Sequence, residues 1–360
     1  WIKRPLNFLV VSCPCALVIS VPLSFFGGIG GASKAGVLVK GSNYLEAMSH
    51  AEYVVMDKTG TLTEGKFSVE DIAAEEGFNR EQLLEYAAMA ENYSNHPISQ
   101  SLRNAYGREI DQSQVDDVSE IAGKGVVATV KGHRIAAGNR KLMADETSFK
   151  GEFKEYKNGT QVMVAVDGVY GGCILLADRI KEDSADAVSK LRAAGVKTVM
   201  LTGDSKEIGE KVAAELGIDK VYAGLLPADK VDIVEELIKS KSSKGKLVFV
   251  GDGINDAPVL ARADVGVAMG ALGSDAAIEA ADMVIMNDQP SKLAQMMSIS
   301  KKTMTIVKEN IIFALGVKAA VLVLSALGLV GMWAAVFADV GVSMIAIINA
   351  LRCLSTEKLS

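Results

Sequence analysis

Cysteine is scarce in this sequence, and long runs of positive charge are missing. Only four cysteines occur among 360 residues: Cys13 and Cys15 flank one proline, whereas Cys173 and Cys353 stand alone. This pattern argues against a small secreted fold held by disulfides and fits a reducing compartment. The formal net charge of -6, without a block of lysine and arginine, argues against a nucleic-acid partner.

The first residues lack the marks of a chain start. The sequence opens at Trp1 rather than at methionine, and no signal-peptide succession of charged, apolar and small residues follows. We therefore expect a piece of a longer protein. Its 360 residues leave room for two or three domains.

Apolar residues are abundant instead, at 49% of the sequence, and three segments concentrate them. Leu6 to Phe26 carries no charge. Phe313 to Val330 and Met332 to Leu351 carry one charge each, Lys318 and Asp339. Each segment approaches the roughly 20 residues that a membrane-spanning helix needs. Flanking basic residues predict an integral protein of the cell membrane, in contact with lipid, with its catalytic domains in the cytoplasm.

The first predicted span contains the sequence Cys13-Pro-Cys15. A proline in mid-span frees a backbone carbonyl, which is tolerated where the freed groups line a site. Two thiols at such a break could bind a soft or borderline metal as thiolates, and the alternative is a packing kink with two inert cysteines. The glycine-rich segment Gly27 to Lys40 is expected to leave the membrane on the cytoplasmic side.

Lys318 and Asp339 place opposite charges at similar depth in the membrane. A charge there costs roughly 2.5 to 3.5 kcal/mol and usually serves function. We expect the two to pair when no metal is bound, and Asp339 to ligate an arriving cation with Lys318 as a counter-ion. A purely structural ion pair is the alternative.

The stretch Tyr53 to Thr63, YVVMDKTGTLT, begins as a short apolar strand and reaches Asp57. Asp57 should therefore lie at the carboxyl end of a buried strand, where open α/β sheets bind ligands. With Lys58, Thr59 and Thr61 as partners of phosphate oxygens, its carboxylate could attack phosphorus and form an acyl phosphate. The alternative is a solvated aspartate capping a strand.

Two later apolar runs also end in carboxylate, hydroxyl and glycine residues, namely Thr202, Gly203, Asp204, Asp252, Asn255 and Asp256. Magnesium prefers oxygen ligands, so Asp57, Asp252 and a backbone carbonyl near Thr59 would suffice for Mg²⁺. Lys230 is the predicted cation for the transferring phosphoryl group. Strands that alternate with helices, the last at Asp264 to Ala268 and Met283 to Met286, predict a parallel doubly wound sheet.

The motifs DKTGTLT, TGD and GDGIND, in this order, resemble the phosphorylation domain of P-type ATPases, a branch of the haloacid dehalogenase-like superfamily. Cys-Pro-Cys resembles the signature of the heavy-metal pumps. The resemblance implies a haloacid dehalogenase-like α/β phosphorylation domain, an inserted α+β nucleotide-binding domain and three transmembrane helices. Related soluble phosphatases usually carry a second aspartate where this chain has Thr59, which cannot take a proton from water, so we expect the acyl phosphate to persist.

The predicted domains follow from these motifs: 1–50, a membrane helix and cytoplasmic linker; 51–66 with 174–298, phosphorylation; 67–173, nucleotide binding; 299–352, two membrane helices; 353–360, a cytoplasmic tail. Residues that resemble the ATP pocket of the heavy-metal pumps are Glu91, His96, Gly123, Gly125, Gly138 and Asn139. Glycines let the backbone approach the adenine and ribose closely, and Glu91 and His96 can contact the base.

Two thiolates and a carboxylate suit Zn²⁺, Cd²⁺ or Pb²⁺. Lys318 and the sequence Asp339-Val-Gly341 resemble the zinc, cadmium and lead branch of the pumps, which implies export of these ions. Copper(I) export is the alternative, because Ser343 and Met344 are present although the Asn-Tyr pair of copper pumps is not evident.

The resemblance also shows an absence, since no Thr-Gly-Glu sequence of an actuator domain occurs here. The actuator and the earlier helices of the same pump are therefore expected partners. Without them this piece should phosphorylate Asp57, turn over slowly and transport nothing. Two further alternatives are a membrane-anchored phosphatase and a non-catalytic membrane metal-binding protein.

Overall fold

The computed structural model describes residues 15–94, 97–121, 123–147, 159–252, 256–270, 275–329 and 331–355. Three of the predicted site residues, Cys13, His96 and Asn255, lie outside the described residues, as does the beginning of the first predicted span. Within the described residues, the chain divides into two compact units, the first comprising 1–62, 182–203 and 213–360 and the second comprising 63–181 and 204–212.

From Ser184 to Ala326 the described helices and strands alternate, as the sequence predicts for this part of the chain. The helices are α1 (Cys15–Lys34), α2 (Ser42–Ser49), α3 (Arg80–Ala90), α4 (Pro97–Tyr106), α5 (Arg140–Glu146), α6 (Ser184–Ala193), α7 (Lys206–Leu216), α8 (Pro227–Ser240), α9 (Ala257–Arg262), α10 (Asp275–Ala280), α11 (Ser291–Ala326), α12 (Met332–Val336) and α13 (Val342–Leu351). The strands are β1 (Val37–Val39), β2 (Ala51–Asp57), β3 (Thr63–Ala74), β4 (Val115–Ile121), β5 (Gly125–Val130), β6 (His133–Gly138), β7 (Thr160–Val166), β8 (Val169–Ile180), β9 (Lys197–Leu201), β10 (Lys220–Tyr222), β11 (Lys246–Gly251), β12 (Val265–Met269) and β13 (Met283–Ile285).

The first unit is built on a sheet in the order β1-β13-β12-β11-β2-β9-β10. All its neighbouring strands are parallel except β1, which pairs antiparallel with β13 at one edge. The predicted doubly wound sheet is confirmed. Strand β1 was not predicted, because a strand of three residues is too short to give a pattern.

Apolar side chains that the central strands bury explain why this sheet forms. Val55 of β2, Phe249 of β11 and Val199 of β9 lie in one hydrophobic cluster with Val234 of α8 and Leu260 of α9. Continuous apolar runs are typical of parallel strands that are covered on both faces. The polar residues that follow these runs are therefore left at the carboxyl edge of the sheet.

Helix α1 extends farther than the sequence predicts. The predicted span ends at Phe26, whereas the helix continues to Lys34. Its buried glycines explain the continuation: a Cβ on Gly27 would lie 3.0 Å from Cβ of Cys353, and one on Gly28 would press on Thr303. Glycine here allows close helix packing, as it does in membrane helices.

Helix α11 is one continuous helix of 36 residues. Its first half packs against α2 and α6 beside the sheet, and its second half contains Lys318 and contacts α1 and α13. Cys15–Lys34 and Phe337–Leu354 are long and apolar enough to cross a membrane. The second half of α11 exposes large apolar side chains such as Ile312, Leu315 and Val323, as a lipid-facing helix does.

The second unit contains an antiparallel sheet in the order β3-β8-β7-β6-β5-β4. Leu83, Met89 and Leu102 of α3 and α4 are buried in its main hydrophobic cluster. The unit comprises Thr63–Lys181 and Asp204–Val212. Its sheet begins at Thr63 because β3 and β8 are paired from Thr63 opposite Ile180 onwards.

Candidate active site

Asp57 ends the strand at the middle of the first unit's sheet. Strand β2 lies between β11 and β9, with Met56 opposite Val250 and Asp57 opposite Leu201. The residues that follow all three strands therefore meet at one edge. Thr202 is there, buried, with its N–H donating to Tyr222 and its carbonyl accepting from Leu225.

A lysine and three carboxylates form the centre of this edge. Oxygens of Asp57, Asp252 and Asp256 lie within 4.8 Å of one another. Lys230 Nζ donates to Asp57 Oδ1 at 2.7 Å and to Asp256 Oδ1 at 2.9 Å. Asp57 is 6% exposed and Asp256 only 2%. Lys230 thus holds two buried carboxylates together.

The surroundings perturb the acidity of both partners. Burial, and next the negative charge of Asp256, raise the pKa of Asp57 to about 7, although Lys230 opposes the change. Burial by itself would lower the pKa of Lys230, but Asp57 and Asp256 raise it overall. Lys230 therefore stays charged at neutral pH, whereas Asp57 is poised between its two protonation states when no other cation is present.

The residues at this edge fit a magnesium ion. Asp57 and Asp252 supply the carboxylate oxygens that Mg²⁺ prefers, while Asp256 is engaged by Lys230. Among the described residues, the buried Thr61 Oγ1 has no hydrogen-bond partner. An unsatisfied hydroxyl four residues after Asp57 fits a phosphate oxygen that accepts a hydrogen bond from it.

We expect Mg²⁺ to bind about tenfold more weakly at pH 6 than at pH 8, because proton and metal compete for an Asp57 whose pKa is about 7. Below pH 7 the carboxyl is mostly protonated, and above it the ligand is free. Calorimetric titration of the nucleotide-free chain measures this difference. Asp252→Asn, which removes the neighbouring ligand, should weaken binding at both pH values. Equal affinity of the wild type at pH 6 and pH 8 would contradict the assignment.

Glycine shapes the turn that follows Asp57. Gly60 has a φ of 70°, in the left-handed region. A Cβ at Gly60 would overlap the carboxylate of Asp252, and one on Gly251 would lie 2.7 Å from Oδ2 of Asp256. The sequence analysis missed both glycines as site residues. The position of Gly60 between hydroxyl residues of the motif was a signal for the turn but not for this contact.

The remaining residues predicted for this site differ in burial and in the unit to which they belong. Lys58 is buried next to Asp57, whereas the side chain of Thr59 is exposed. Gly203 follows Thr202 in the first unit, and Asp204 belongs to the second. The structure thus brings together Asp57, Lys230, Asp252 and Asp256, of which Asp256 was predicted without a defined role.

Five of the six residues predicted for nucleotide binding line one cavity of the second unit, of about 340 Å³: Glu91, Gly123, Gly125, Gly138 and Asn139. Gly125 has a φ of 140°, and a Cβ there would overlap the carbonyl of Ala137. Asn139 Nδ2 donates to the carbonyl of Gly123 at 2.8 Å, and its Oδ1 accepts from the N–H groups of Lys141 and Leu142. Asn139 therefore holds the glycine loop and begins helix α5.

Cys15, Lys318 and Asp339, which were predicted for the transported metal, come from three helical segments that pack together near these residues. Ala16, Ala314 and Val342 are buried in one cluster. Ala16 directly follows Cys15. Ala314 lies about one turn before Lys318, and Val342 lies about one turn after Asp339. Asp339 lies in a π-helical segment, Phe337–Gly341, a departure from the α-helix that is frequent at functional sites. The pairing of Lys318 with Asp339 stays a prediction.

A protein-family model matches the part of the chain that contains these site residues. The model of haloacid dehalogenase-like hydrolases matches residues 51–264. The chain belongs to the haloacid dehalogenase-like hydrolase family. The matched residues include Asp57, Lys230, Asp252 and Asp256.

The relatives that match the whole chain are metal-transporting ATPases. The cadmium, zinc and cobalt-transporting ATPase of Bacillus subtilis (strain 168) is 58% identical over 98% of this chain and 50% of its own length. The zinc-transporting ATPase of Synechocystis sp. (strain ATCC 27184 / PCC 6803 / Kazusa) is 53% identical over 98% of this chain and 48% of its own. The chain therefore spans about half the length of these relatives.

A solved structure agrees with these sequence matches. The crystal structure of a zinc-transporting PIB-type ATPase in the E2.Pi state has a TM-score of 0.85 and 37% identity, covering 98% of this chain and 58% of that one. The resemblance to heavy-metal P-type ATPases is thus confirmed. With the candidate spans, these matches identify the chain as part of an integral membrane protein.

Proposed function

We propose that the chain is part of a P-type ATPase that exports divalent heavy-metal ions and is phosphorylated by ATP on Asp57. The observation that carries the proposal is the buried cluster in which Lys230 bridges Asp57 and Asp256 beside Asp252. A lysine that already contacts the carboxylate can also contact the incoming phosphoryl group. The cluster is therefore arranged for nucleophilic attack rather than for structural support alone.

In this proposal, ionised Asp57 attacks the γ-phosphorus of ATP. A bond forms between its carboxylate oxygen and phosphorus, the bond from phosphorus to the bridging oxygen breaks, and ADP leaves with that electron pair. Lys230 stabilises charge on the transferring oxygens while Asp256 keeps its ammonium in place. Bound Mg²⁺ would supply further charge neutralisation at Asp57 and Asp252.

Thr59 favours a persistent intermediate. It lies two places after Asp57, and its hydroxyl cannot act as a general base at neutral pH. Hydrolysis of the acyl phosphate then needs a group from another part of the pump. We infer that this chain alone accumulates phosphoprotein and has little steady ATP hydrolysis.

Helix α11 provides a physical connection between phosphorylation and metal. It begins beside the sheet, where the N–H of Ser291 donates to Asp183 at 2.9 Å, and continues without a break to Lys318. A movement of the phosphorylated domain would therefore be transmitted to the membrane level of Asp339. Such a link requires that phosphate and metal favour different conformations.

The proposed metal site consists of Cys13, Cys15 and Asp339, with Lys318 as the counter-ion. The meeting of Ala16, Ala314 and Val342 supports it, because it brings the helices of Cys15, Lys318 and Asp339 together. Thiolate and carboxylate ligands favour Zn²⁺, Cd²⁺ or Pb²⁺ over monovalent copper.

We expect the detergent-solubilised chain to bind Zn²⁺, and Cys15→Ser and Asp339→Ala each to lower its affinity at least about tenfold, as loss of a ligand does. Metal content after equilibrium dialysis against Zn²⁺ or Cu(I) is the measurement. Cys173→Ser is the matched control, because Cys173 is a buried thiol of the second unit. Binding of Cu(I) alone, indifferent to Asp339, would instead assign a copper pump.

A further inference from the structure

Glu91 lines the cavity of the second unit from an unusual position, the turn at the end of helix α3. The helix ends at Ala90, and a 3₁₀ turn, Glu91–Tyr93, follows. Glu91 is only 6% exposed. A buried carboxylate needs hydrogen-bond donors, and a helix end needs partners for its last carbonyl groups. Helix α4 meets both needs.

Ser99 of α4 fixes the side chain of Glu91. The Ser99 hydroxyl donates to Glu91 Oε2, and Ser99 itself is fully buried. A carboxylate that is held in one rotamer loses less entropy when it binds a ligand. Ser99 therefore sets the direction in which Glu91 presents its acceptor oxygens.

Arg103, one turn farther along α4, fixes the backbone of the same turn. Its NH1 group donates to the carbonyl oxygens of Glu91, Asn92 and Ser94, at 2.9, 3.2 and 3.0 Å. The Glu91 carbonyl also accepts from the N–H of Ser94, and Arg103 adds a second donor at the end of α3, where a cation is favoured by the helix dipole. Side chain and backbone of Glu91 are thus held by two residues of one helix face.

We propose that Ser99 and Arg103 are positioning residues that make the cavity selective for adenine over guanine nucleotides by orienting Glu91. An ionised carboxylate only accepts hydrogen bonds. Adenine offers an amino group at its six position, whereas guanine offers a carbonyl oxygen there, which the carboxylate repels. An oriented acceptor therefore discriminates between the bases, and a freely rotating one discriminates less. This inference rests on the proposed binding of ATP in this cavity.

The test compares Ser99→Val with Ser99→Thr in the full chain. Valine and threonine have the same shape, so both disturb the buried site equally, but only threonine keeps the hydroxyl. Dissociation constants for ATP and GTP are measured by calorimetry with EDTA present, so that Asp57 is not phosphorylated. We expect Ser99→Val to weaken ATP binding about tenfold more than Ser99→Thr does, and to lower the preference for ATP over GTP by a similar factor.

Arg103→Met and Arg103→Lys form the second pair. Methionine fills the space of the side chain without donors, whereas lysine keeps a charge and donors for some of the carbonyls. We expect Arg103→Met to lower the preference for ATP more than Arg103→Lys. In phosphorylation assays with Mg²⁺, the KM for ATP should rise more than the maximal phosphoprotein level falls.

Four results would overturn the inference. Equal effects of Ser99→Val and Ser99→Thr would show that only size matters at that position. Equal weakening of ATP and GTP would show a structural role without base selectivity. A wild-type chain that binds neither nucleotide would overturn the proposed function as well, whereas tight ATP binding that Ser99→Val leaves unchanged would overturn the inference alone.

Discussion

Asp57→Asn is expected to abolish the phosphoprotein, with at least about a thousandfold loss, because the amide has no anionic oxygen to attack phosphorus. The measurement is acid-stable incorporation of label from ATP, with hydroxylamine sensitivity to identify an acyl phosphate. Asp186→Asn is the matched control, since Asp186 lies exposed on α6 and pairs with Lys190 within that helix. Persistent labelling of Asp57→Asn would place the nucleophile elsewhere.

Loss of labelling by unfolding can be distinguished from loss by chemistry. The pKa of Asp57 is raised from 3.8 to about 7, so the folded state binds this proton more tightly than the unfolded state. The stabilisation is therefore present at low pH and is lost as the pH rises through about 7. The amide introduced by Asp57→Asn cannot ionise, so this variant should melt no lower than wild type at pH 8 in Mg²⁺-free buffer. A large drop in melting temperature would contradict this reasoning.

The residues at the carboxyl edge of the sheet could be predicted because they depend on local sequence patterns. An apolar run such as Val54 to Met56 forms a buried strand, and parallel strands present their carboxyl ends at the same edge. The sequence therefore predicted that Asp57, Thr202 and Asp252 would meet. It also predicted that Lys230 would join them. That prediction came from the need for a cation near the transferring phosphoryl group, and it named no residue that Lys230 contacts.

The contacts that hold these residues depend on packing between distant segments, and no local pattern predicts such packing. That Lys230 bridges Asp57 and Asp256 follows from where the first turn of α8 lies at the carboxyl edge of the sheet. The clamp of Arg103 on the carbonyls of Glu91 and Ser94 depends in the same way on how α4 meets the end of α3. A sequence shows that such donors exist but not which acceptors they reach.

Glycine was overlooked as a contact residue both in α1 and in the active site, for one physical reason. In α1, Gly27 and Gly28 begin the segment that is expected to leave the membrane, and they continue the helix because neighbours fill the space of a side chain. At Gly60 the same absence of a side chain accommodates the carboxylate of Asp252. The sequence shows that a glycine is present. Only the residues packed around it show whether it serves as a flexible residue or as a contact surface.

Gly60→Ala is therefore expected to reduce phosphorylation about a hundredfold or more, comparable with the loss of a catalytic electrostatic group. The new methyl group would overlap the carboxylate of Asp252, so either this ligand or the turn after Asp57 must move. The left-handed backbone at Gly60, with φ of 70°, adds conformational strain. Phosphoprotein formation at several Mg²⁺ concentrations measures the effect, and excess Mg²⁺ should restore part of it if Asp252 is displaced.

Gly195→Ala separates the two causes. Gly195 also has a left-handed backbone, with φ of 82°, but a Cβ there meets nothing within 4 Å. Both variants share the backbone strain, of about 1 to 2 kcal/mol, and only Gly60→Ala crowds a magnesium ligand. Gly195→Ala should therefore lower the melting temperature while it keeps phosphorylation within about twofold of wild type, given the usual independence of distant sites. If both variants lost phosphorylation equally, global destabilisation would explain the loss, and Asp252 would not be the residue that requires a glycine at position 60.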